Sequence, residues 1–239
     1  MITWNRGEMP PRFRELADKY AVRAYVASTV GANYLVPLLW HGEDPRQIPF
    51  ERLRTKYVIK PSHASERVIV VDEPPDRADI IRKVSGWLAE DYYWRDREYQ
   101  YYQVKPRTMI EECLTDQDGS LPLDYKIYCF NGTPELIWIR NHAHDISPLF
   151  DSAWNLLELS CEKGTARPWL PNPTNLDEMM AVAAKLSAGF GHVRVDLYNV
   201  NKRVYFGELT FTTKAGQVKF DPDHWDIKLG EKWDLSLDR

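Results

Sequence analysis

The segment His192-Val193-Arg194-Val195-Asp196-Leu197-Tyr198, followed across Asn199 to Lys202 by Val204-Tyr205-Phe206-Gly207-Glu208-Leu209-Thr210-Phe211, decides the fold class of this chain. Side chains alternate between the two faces of a strand, so Arg194 and Asp196 point one way and Val193, Val195 and Leu197 the other. Two such runs joined by a polar turn predict an antiparallel hairpin, on which Glu208 and Thr210 likewise share a face. The hairpin can bring the two polar faces together. Two carboxylates and one guanidinium then converge within an otherwise apolar sheet. Hard oxygen donors of this kind suit Mg²⁺, which is commonly held by one or two carboxylates plus substrate phosphates. The same spacing also fits a structural ion pair between Arg194 and an acid.

Outward from this hairpin the pattern repeats. Tyr125 to Phe130 and Glu135 to Ile139 flank Asn131-Gly132, a strong hairpin-turn signal. Tyr57 to Lys60 and Val68 to Val71 read as strands joined by the polar loop Pro61 to Arg67, and Arg107 to Leu114 reads as another. Helical spacing predicts helices over 10–30, 76–92 and 175–190, the last with Leu176, Met179, Met180, Ala183 and Leu186 on one stripe. Tyr34 to Pro37 reads as extended, followed by a loop with Gly42, Pro45 and Pro49. Strands paired in hairpins rather than in βαβ units predict an α+β protein with mostly antiparallel sheets.

Bulk properties narrow the function classes. The 239 residues allow one large domain or two small ones. A net charge of −4 argues against a nucleic-acid footprint, which needs a basic patch. Cys113, Cys129 and Cys161 form neither a zinc pattern nor a disulfide framework, so reduced, buried thiols in a cytoplasmic protein are expected. Met1 to Glu8 lacks the apolar core of a signal peptide, and no apolar run is long enough to span a bilayer.

Other local signals are weaker. Lys60 at a strand end, before the glycine-free loop Pro61-Ser62-His63-Ala64-Ser65-Glu66-Arg67, fits a phosphate-covering loop and, more readily, an ordinary polar hairpin. Arg107 to Leu114 fits an adenine-pairing hinge strand or a plain strand carrying two acids. Alternation sets Lys126 on one face with Asp124, Tyr128 and Phe130, where a snorkelling surface lysine is the better reading in isolation. His142 and His144 have no third ligand at metal spacing. Nucleophile elbow, dinucleotide-binding and Walker loop motifs are all absent from the sequence.

In this order and spacing, the segments resemble the ATP-grasp superfamily. They look most like the TupA-like ATP-grasp family, which is associated with teichuronopeptide and other surface-polysaccharide biosynthesis. The resemblance runs from about Asp18 to Gly230. It is carried by Asp18-Lys19 with Gly31 and Pro37, Tyr57 to His63, Ile110-Glu111-Glu112, Asp124-Tyr125-Lys126 with Phe130-Asn131-Gly132, and Arg194 to Tyr198. Phe206 to Phe211, and Trp225-Asp226 before Gly230, complete the set.

The resemblance implies two α+β lobes with antiparallel sheets enclosing a nucleotide cleft: residues 51–115 as the small lobe and 116–239 as the large lobe, after an N-terminal helical segment over 1–50. It implies Lys19 and Lys60 as phosphate contacts, and a flap from Ser62 to Arg67 containing His63 and Ser65. Glu111, Glu112 and Leu114 would form the adenine hinge, with Asp124 on the ribose. Lys126 would serve the phosphates, Asp196, Glu208 and Thr210 would hold Mg²⁺, and Arg194 would stabilise charge on an acyl phosphate. Thr210 stands where many relatives place asparagine, Ala64 to Arg67 replace the usual flap glycines, and Lys214 is atypical. The implied activity is ATP- and Mg²⁺-dependent ligation of a carboxylate to an amine on a small molecule or glycan, in company with polysaccharide-biosynthesis enzymes. The alternatives are a sugar or small-molecule kinase and a nucleotide-binding module without activity.

Overall fold

The structure, a computed structural model, describes residues 9–53 and 56–238. The reading of Met1 to Glu8 lies outside them. In chain order the elements are α1 (Pro11–Ala17), α2 (Val22–Thr29), β1 (Leu38–Gly42), β2 (Tyr57–Pro61), β3 (Ile69–Val71), α3 (Arg77–Ala89) and α4 (Tyr93–Asp96). Then follow β4 (Thr108–Glu112), β5 (Asp124–Phe130), β6 (Thr133–Arg140), β7 (Leu149–Asp151), α5 (Leu176–Ser187), β8 (His192–Val200), β9 (Arg203–Thr210) and α6 (His224–Gly230). They divide into two units, one built from residues 9–25 and 36–114, the other from 26–35 and 115–238. No helix among the described residues is long and apolar enough to cross a membrane.

The first unit holds a four-stranded antiparallel sheet in the order β1-β4-β2-β3. Tyr57 and Ile59 of β2, Val71 of β3 and Ile110 of β4 form its core with Ile80 and Val84 of α3. Asp76 caps α3, its carboxylate accepting from the Asp79 N–H at 3.1 Å, which fixes the start of the helix at Arg77. The single helix expected over 10–30 is two. Asp18 Oδ1 accepts from the Tyr20 N–H at 2.8 Å, and the Lys19 N–H donates to Ser62 O at 3.0 Å instead of to its own helix. A short acidic side chain that captures nearby backbone donors breaks a helix in this way. Of the extended segment expected over Tyr34 to Pro37, Tyr34 closes a 3₁₀ turn over Ala32–Tyr34 that follows Gly31 (φ near 114°), Leu35 is extended and bridges to Phe206, and strand β1 starts at Leu38.

The second unit holds a five-stranded antiparallel sheet, β7-β6-β5-β8-β9. Asn131 and Gly132 both adopt left-handed backbone, φ 50° and 80°, so the turn between β5 and β6 is the type the Asn-Gly pair foretells. Asn201 and Lys202 turn β8 into β9 the same way, φ 52° and 65°. Helix α5 packs on β5, β6 and β8 through Met179, Val182, Ala183 and Leu186, with Val182 rather than Met180 completing the buried stripe. Tyr128, Phe130, Leu136, Trp138 and Leu149 join Leu159, Phe220 and Leu229 in a second core. The strand β7, only three residues long, has too few positions to show a period in sequence.

Register is displaced once in β9. Asp196 pairs with Glu208, but Leu197 pairs with Phe206, so Gly207 is an inserted bulge residue. A Cβ at Gly207 would lie 3.1 Å from Asp196 O and 3.3 Å from the Tyr198 ring. The bulge reverses the phase of the strand: Glu208 joins Asp196 on one face, while Phe206, two residues earlier, joins Leu197 on the other.

His192 opens β8 in the interior, stacked on Phe130 at 4.7 Å between ring centroids and 5.1 Å from Trp233. Its Nδ1–H donates to Cys129 O at 3.2 Å. Burial pushes its pKa down from 6.5 to about 4. The unfolded chain therefore takes up this proton near pH 6.5 and the folded chain only near 4. His192 costs no stability above pH 6.5 and progressively destabilises the fold as pH falls from 6.5 to 4, by at most ~1.4 kcal/mol per unit. Buried His63 is shifted in the same direction. Replacing His192 with Phe, which can stack in the same slot, should flatten the fall in unfolding free energy over that range, measured by urea melts; an unaltered slope would show that His192 titrates normally in the fold.

Candidate functional site

In the second unit, three neighbouring strands present charged residues in register on the face opposite α5. Lys126 of β5 is the partner of Asp196 of β8, and Asp196 is the partner of Glu208 of β9. Arg194, two residues before Asp196, pairs with Thr210. The guanidinium grips the Asp196 carboxylate with both arms, Nε to Oδ1 at 2.6 Å and Nη2 to Oδ2 at 2.7 Å. Nη2 also donates to Glu208 Oε1 at 3.1 Å and Thr210 Oγ1 at 2.9 Å, and Nη1 to Thr213 Oγ1 at 3.2 Å. Lys126 Nζ lies 2.8 Å from Asp196 Oδ2 and 2.5 Å from Asp124 Oδ2. The Thr210 hydroxyl donates to Glu208 Oε1 at 2.8 Å.

Lys126 is therefore no surface snorkel. Its ammonium is nearly buried, and although burial alone would lower its pKa, Asp124 and Asp196 outweigh that and raise it. Arg194 is raised in the same way, burial opposing and Asp196 prevailing. Burial raises the Asp124 carboxyl despite Lys126. Its Oδ1 is buried without a partner, and its Oδ2 contacts Lys126. Three carboxylates (Asp124, Asp196, Glu208) against two cations (Lys126, Arg194) leave a net charge of −1 within this ladder.

A divalent cation fits that remainder. No group of three or more His, Cys, Asp or Glu among the described residues could cage a metal alone. The oxygens of Asp196, Glu208 and Thr210 suit instead a Mg²⁺ that brings phosphate and water ligands of its own. The thiols offer no alternative chemistry: burial pushes Cys129 and Cys161 up to about 12 and raises Cys113 as well.

In the first unit, Lys60 Nζ lies 2.6 Å from Glu111 Oε2, and Arg23 Nη1 lies 2.8 Å from Glu111 Oε1. Arg23 is anchored in turn by Nη2 to Val36 O at 2.9 Å. Glu111 is buried, and its side chain serves as a clamp on Lys60. On the expected hinge, the Glu112 N–H donates to Pro37 O and the Cys113 N–H to Lys56 O, both at 3.0 Å, with Leu114 next in the chain. Arg23 carried no signal in sequence beyond being one basic residue on a helix.

The flap is not the uniformly solvated loop its polarity suggests. Ser62, His63 and Ala64 are buried, the Ser62 N–H donates to Arg107 O at 2.8 Å, and Lys19 Nζ donates to Ala64 O at 3.0 Å. Exposed polar character begins near Ser65. Glu66 has φ 57°, a backbone region in which glycine would be unstrained, and pairs with Arg95 at 3.1 Å. Arg67 pairs with Glu90 at 3.0 Å and not with Glu66.

A protein-family model described as TupA-like ATPgrasp matches residues 3–234. No curated protein matches the chain. Among solved structures, a D-alanine–D-alanine ligase from Bacillus anthracis is similar at TM-score 0.50 and 14% identity, over 82% of this chain and 56% of that one. The same ligase complexed with ATP gives 0.49 and 13%, over 82% and 53%. The ATP-grasp ligase PsnB complexed with its minimal precursor gives 0.45 and 14%, over 87% and 57%. The family match gives the ATP-grasp fold and the first of these likenesses shows a fold shared with that ligase; the chain spans just over half the length of these structures.

The cluster sets unequal costs for its two acids. Asp196→Asn strips a buried carboxylate from two cations and should cost about 3–5 kcal/mol. Glu208, with 24% of its side chain exposed, is better solvated, and Glu208→Gln should cost no more than about 1 kcal/mol. Urea denaturation of both variants checks the contrast; equal losses would show that the ladder does not centre on Asp196.

Proposed function

The chain belongs to the TupA-like ATP-grasp family, and from that premise we propose that it is an ATP-dependent ligase joining a carboxylate to an amine through an acyl phosphate. The observation that carries this reading is the in-register ladder of Lys126, Asp196 and Glu208 with Arg194 and Thr210. It offers fixed cations and hard oxygen donors but no activated nucleophile. Phosphoryl transfer needs that combination, because its demands are positioning and charge neutralisation more than covalent catalysis.

In this mechanism Asp196 and Glu208, with the Thr210 hydroxyl, would hold Mg²⁺, whose contribution would be to neutralise phosphate oxygens. Arg194 holds the Asp196 carboxylate in place and presents the one Nη1 N–H not given to Thr213 to an oxyanion that develops on the acyl carbon. Lys126 offers an ammonium to the phosphates at small reorganisation cost, since two carboxylates already fix it. Lys60 meets phosphate by exchanging its bond to Glu111 for one to the ligand, and Arg23 keeps Glu111 neutralised after the exchange. The flap from Ser62 to Arg67, with His63 and Ser65, covers phosphate, anchored at its base by Lys19. The strand carrying Glu111 and Glu112 is held by its own sheet, so the backbone at Leu114, just beyond it, receives the adenine, and Asp124 reaches the ribose by turning from Lys126. The acceptor is a small molecule or glycan, in keeping with surface-polysaccharide synthesis in the cytoplasm.

Glu66 favours a second reading, a nucleotide-binding module without turnover, because it places a carboxylate in the flap at a left-handed position where glycine would let backbone amides approach phosphate. An ADP-release assay across amino acids, uronic acids and sugars separates the cases. A ligase releases ADP only with Mg²⁺, a carboxylate and an amine together. Release with a hydroxyl acceptor alone identifies a kinase, and ATP binding without release identifies the module. Lys60→Ala should weaken ATP binding a few-fold, less than the about 1.5–3 kcal/mol of a full charge-assisted contact because Lys60 gives up Glu111 to reach phosphate; unchanged affinity removes Lys60 from the site. Glu208→Gln should lose turnover at all Mg²⁺ concentrations; a response like that of the unaltered protein removes the ladder from the chemistry.

A further inference from the structure

Beside the ladder, the second unit holds a second charged cluster. Arg140 ends β6 as the strand partner of Asp124, and Trp138, two residues earlier on the same face, is the partner of Lys126. Glu162 bridges two cations, Arg140 Nη1 to Oε2 at 2.5 Å and Lys214 Nζ to Oε1 at 2.6 Å. Both cations lie over the Trp138 ring, at 5.2 and 5.9 Å from its centroid. The indole N–H donates to Ser147 Oγ at 2.7 Å, which fixes this floor. Lys214 follows Thr213, whose hydroxyl accepts from Arg194, so the two clusters adjoin.

We propose that Arg140 and Lys214 form a receptor for a second oxyanion on the substrate, distinct from the carboxylate that is activated, and that Glu162 occupies the receptor until that group displaces it. The proposal rests on the ligase reading above and names its substrate class: a molecule bearing a carboxylate or phosphate in addition to the reacting carboxylate.

Three observations support it. First, two cations face one carboxylate, an excess of +1 beside a ladder with an excess of −1. Second, Arg140 is only 8% exposed, yet its Nε is buried with no partner, leaving part of a buried donor fork unused. His144 cannot fill that need. Its Nδ1 accepts from Arg140 Nη2 at 2.5 Å, since a guanidinium only donates, and burial followed by Arg140 itself keeps the ring neutral by lowering its pKa. Third, His144 (φ 59°), Lys214 (φ 49°) and Ala215 (φ 56°) all hold left-handed backbone without being glycine, and such strain gathers at ligand sites. Lys214 is half exposed, so an anion from solvent can reach it and compete with Glu162.

The probes are glutarate, its monoamide glutaramate, and inorganic phosphate, titrated calorimetrically at fixed ionic strength. Glutarate should bind about ten-fold more tightly than glutaramate, and Lys214→Ala should erase that preference. Glu162→Gln, which removes the internal competitor, should tighten glutarate or phosphate severalfold; the probe that gains more identifies the receptor as one for carboxylate or for phosphoryl oxygens. Equal affinity for glutarate and glutaramate with no phosphate gain in Glu162→Gln overturns the proposal and leaves a structural ion-pair network. Lys214→Ala gives an independent reading should Glu162→Gln fold poorly, because Lys214 is half exposed. ATP binding with Mg²⁺ is measured in the same proteins. An unaltered protein that binds neither ATP nor Mg²⁺-ATP ends the ligase reading, whereas retained ATP binding without diacid preference ends only the receptor.

Discussion

Arg194 and Asp196 stand two residues apart on one strand, both buried, and the rest of the second unit is arranged around keeping them so. Removing two ions from water costs several kcal/mol each, which a single contact rarely returns. The sheet returns it by register. Lys126 arrives from β5, Glu208 and Thr210 from β9, and Thr213 from the turn beyond, so that every arm of the guanidinium has an acceptor. The apolar face of the same strands, sealed by α5, fixes the strands that hold those partners.

The first unit solves a similar problem with fewer parts. Lys60 is held by Glu111, and Glu111 is held also by Arg23. Lys60, Arg194 and Arg140, each capable of meeting an anion, all rest on internal acids. A cation kept this way is already desolvated and aimed. Its cost is that an incoming anion gains only the difference between two carboxylate-like contacts.

Much of this was legible in sequence where period and turn chemistry agreed. Asn131-Gly132 fixed a hairpin, alternation placed Arg194 with Asp196 and Glu208 with Thr210, and the stripe from Leu176 to Leu186 marked α5. What was not legible depended on contacts between segments distant in the chain. Lys126 looks like a surface lysine until β8 supplies Asp196 beside it, and Asp18 breaks a well-patterned helix through its own carboxylate. Arg140 was within reach, since alternation from Trp138 puts it on the charged face, but Glu162 and Lys214 lie on loops without a period. Ser62 and His63 misled through polarity, being buried beneath their own loop.

The bulge at Gly207 has an effect on how this sequence can drift. Because the inserted residue inverts the phase of β9, the charged end and the apolar end of that strand obey opposite parities. Loss of Gly207 itself would leave Phe206 opposite Leu197 and Glu208 opposite Asp196 in unbroken alternation, whereas loss of Val204 or Tyr205 would shift the parity of the residues before it against β8. A residue gained at the Asn201-Lys202 turn would disturb neither. Length variation in this hairpin is thus confined to its tip and to the bulge, the two places where a residue has no partner on β8.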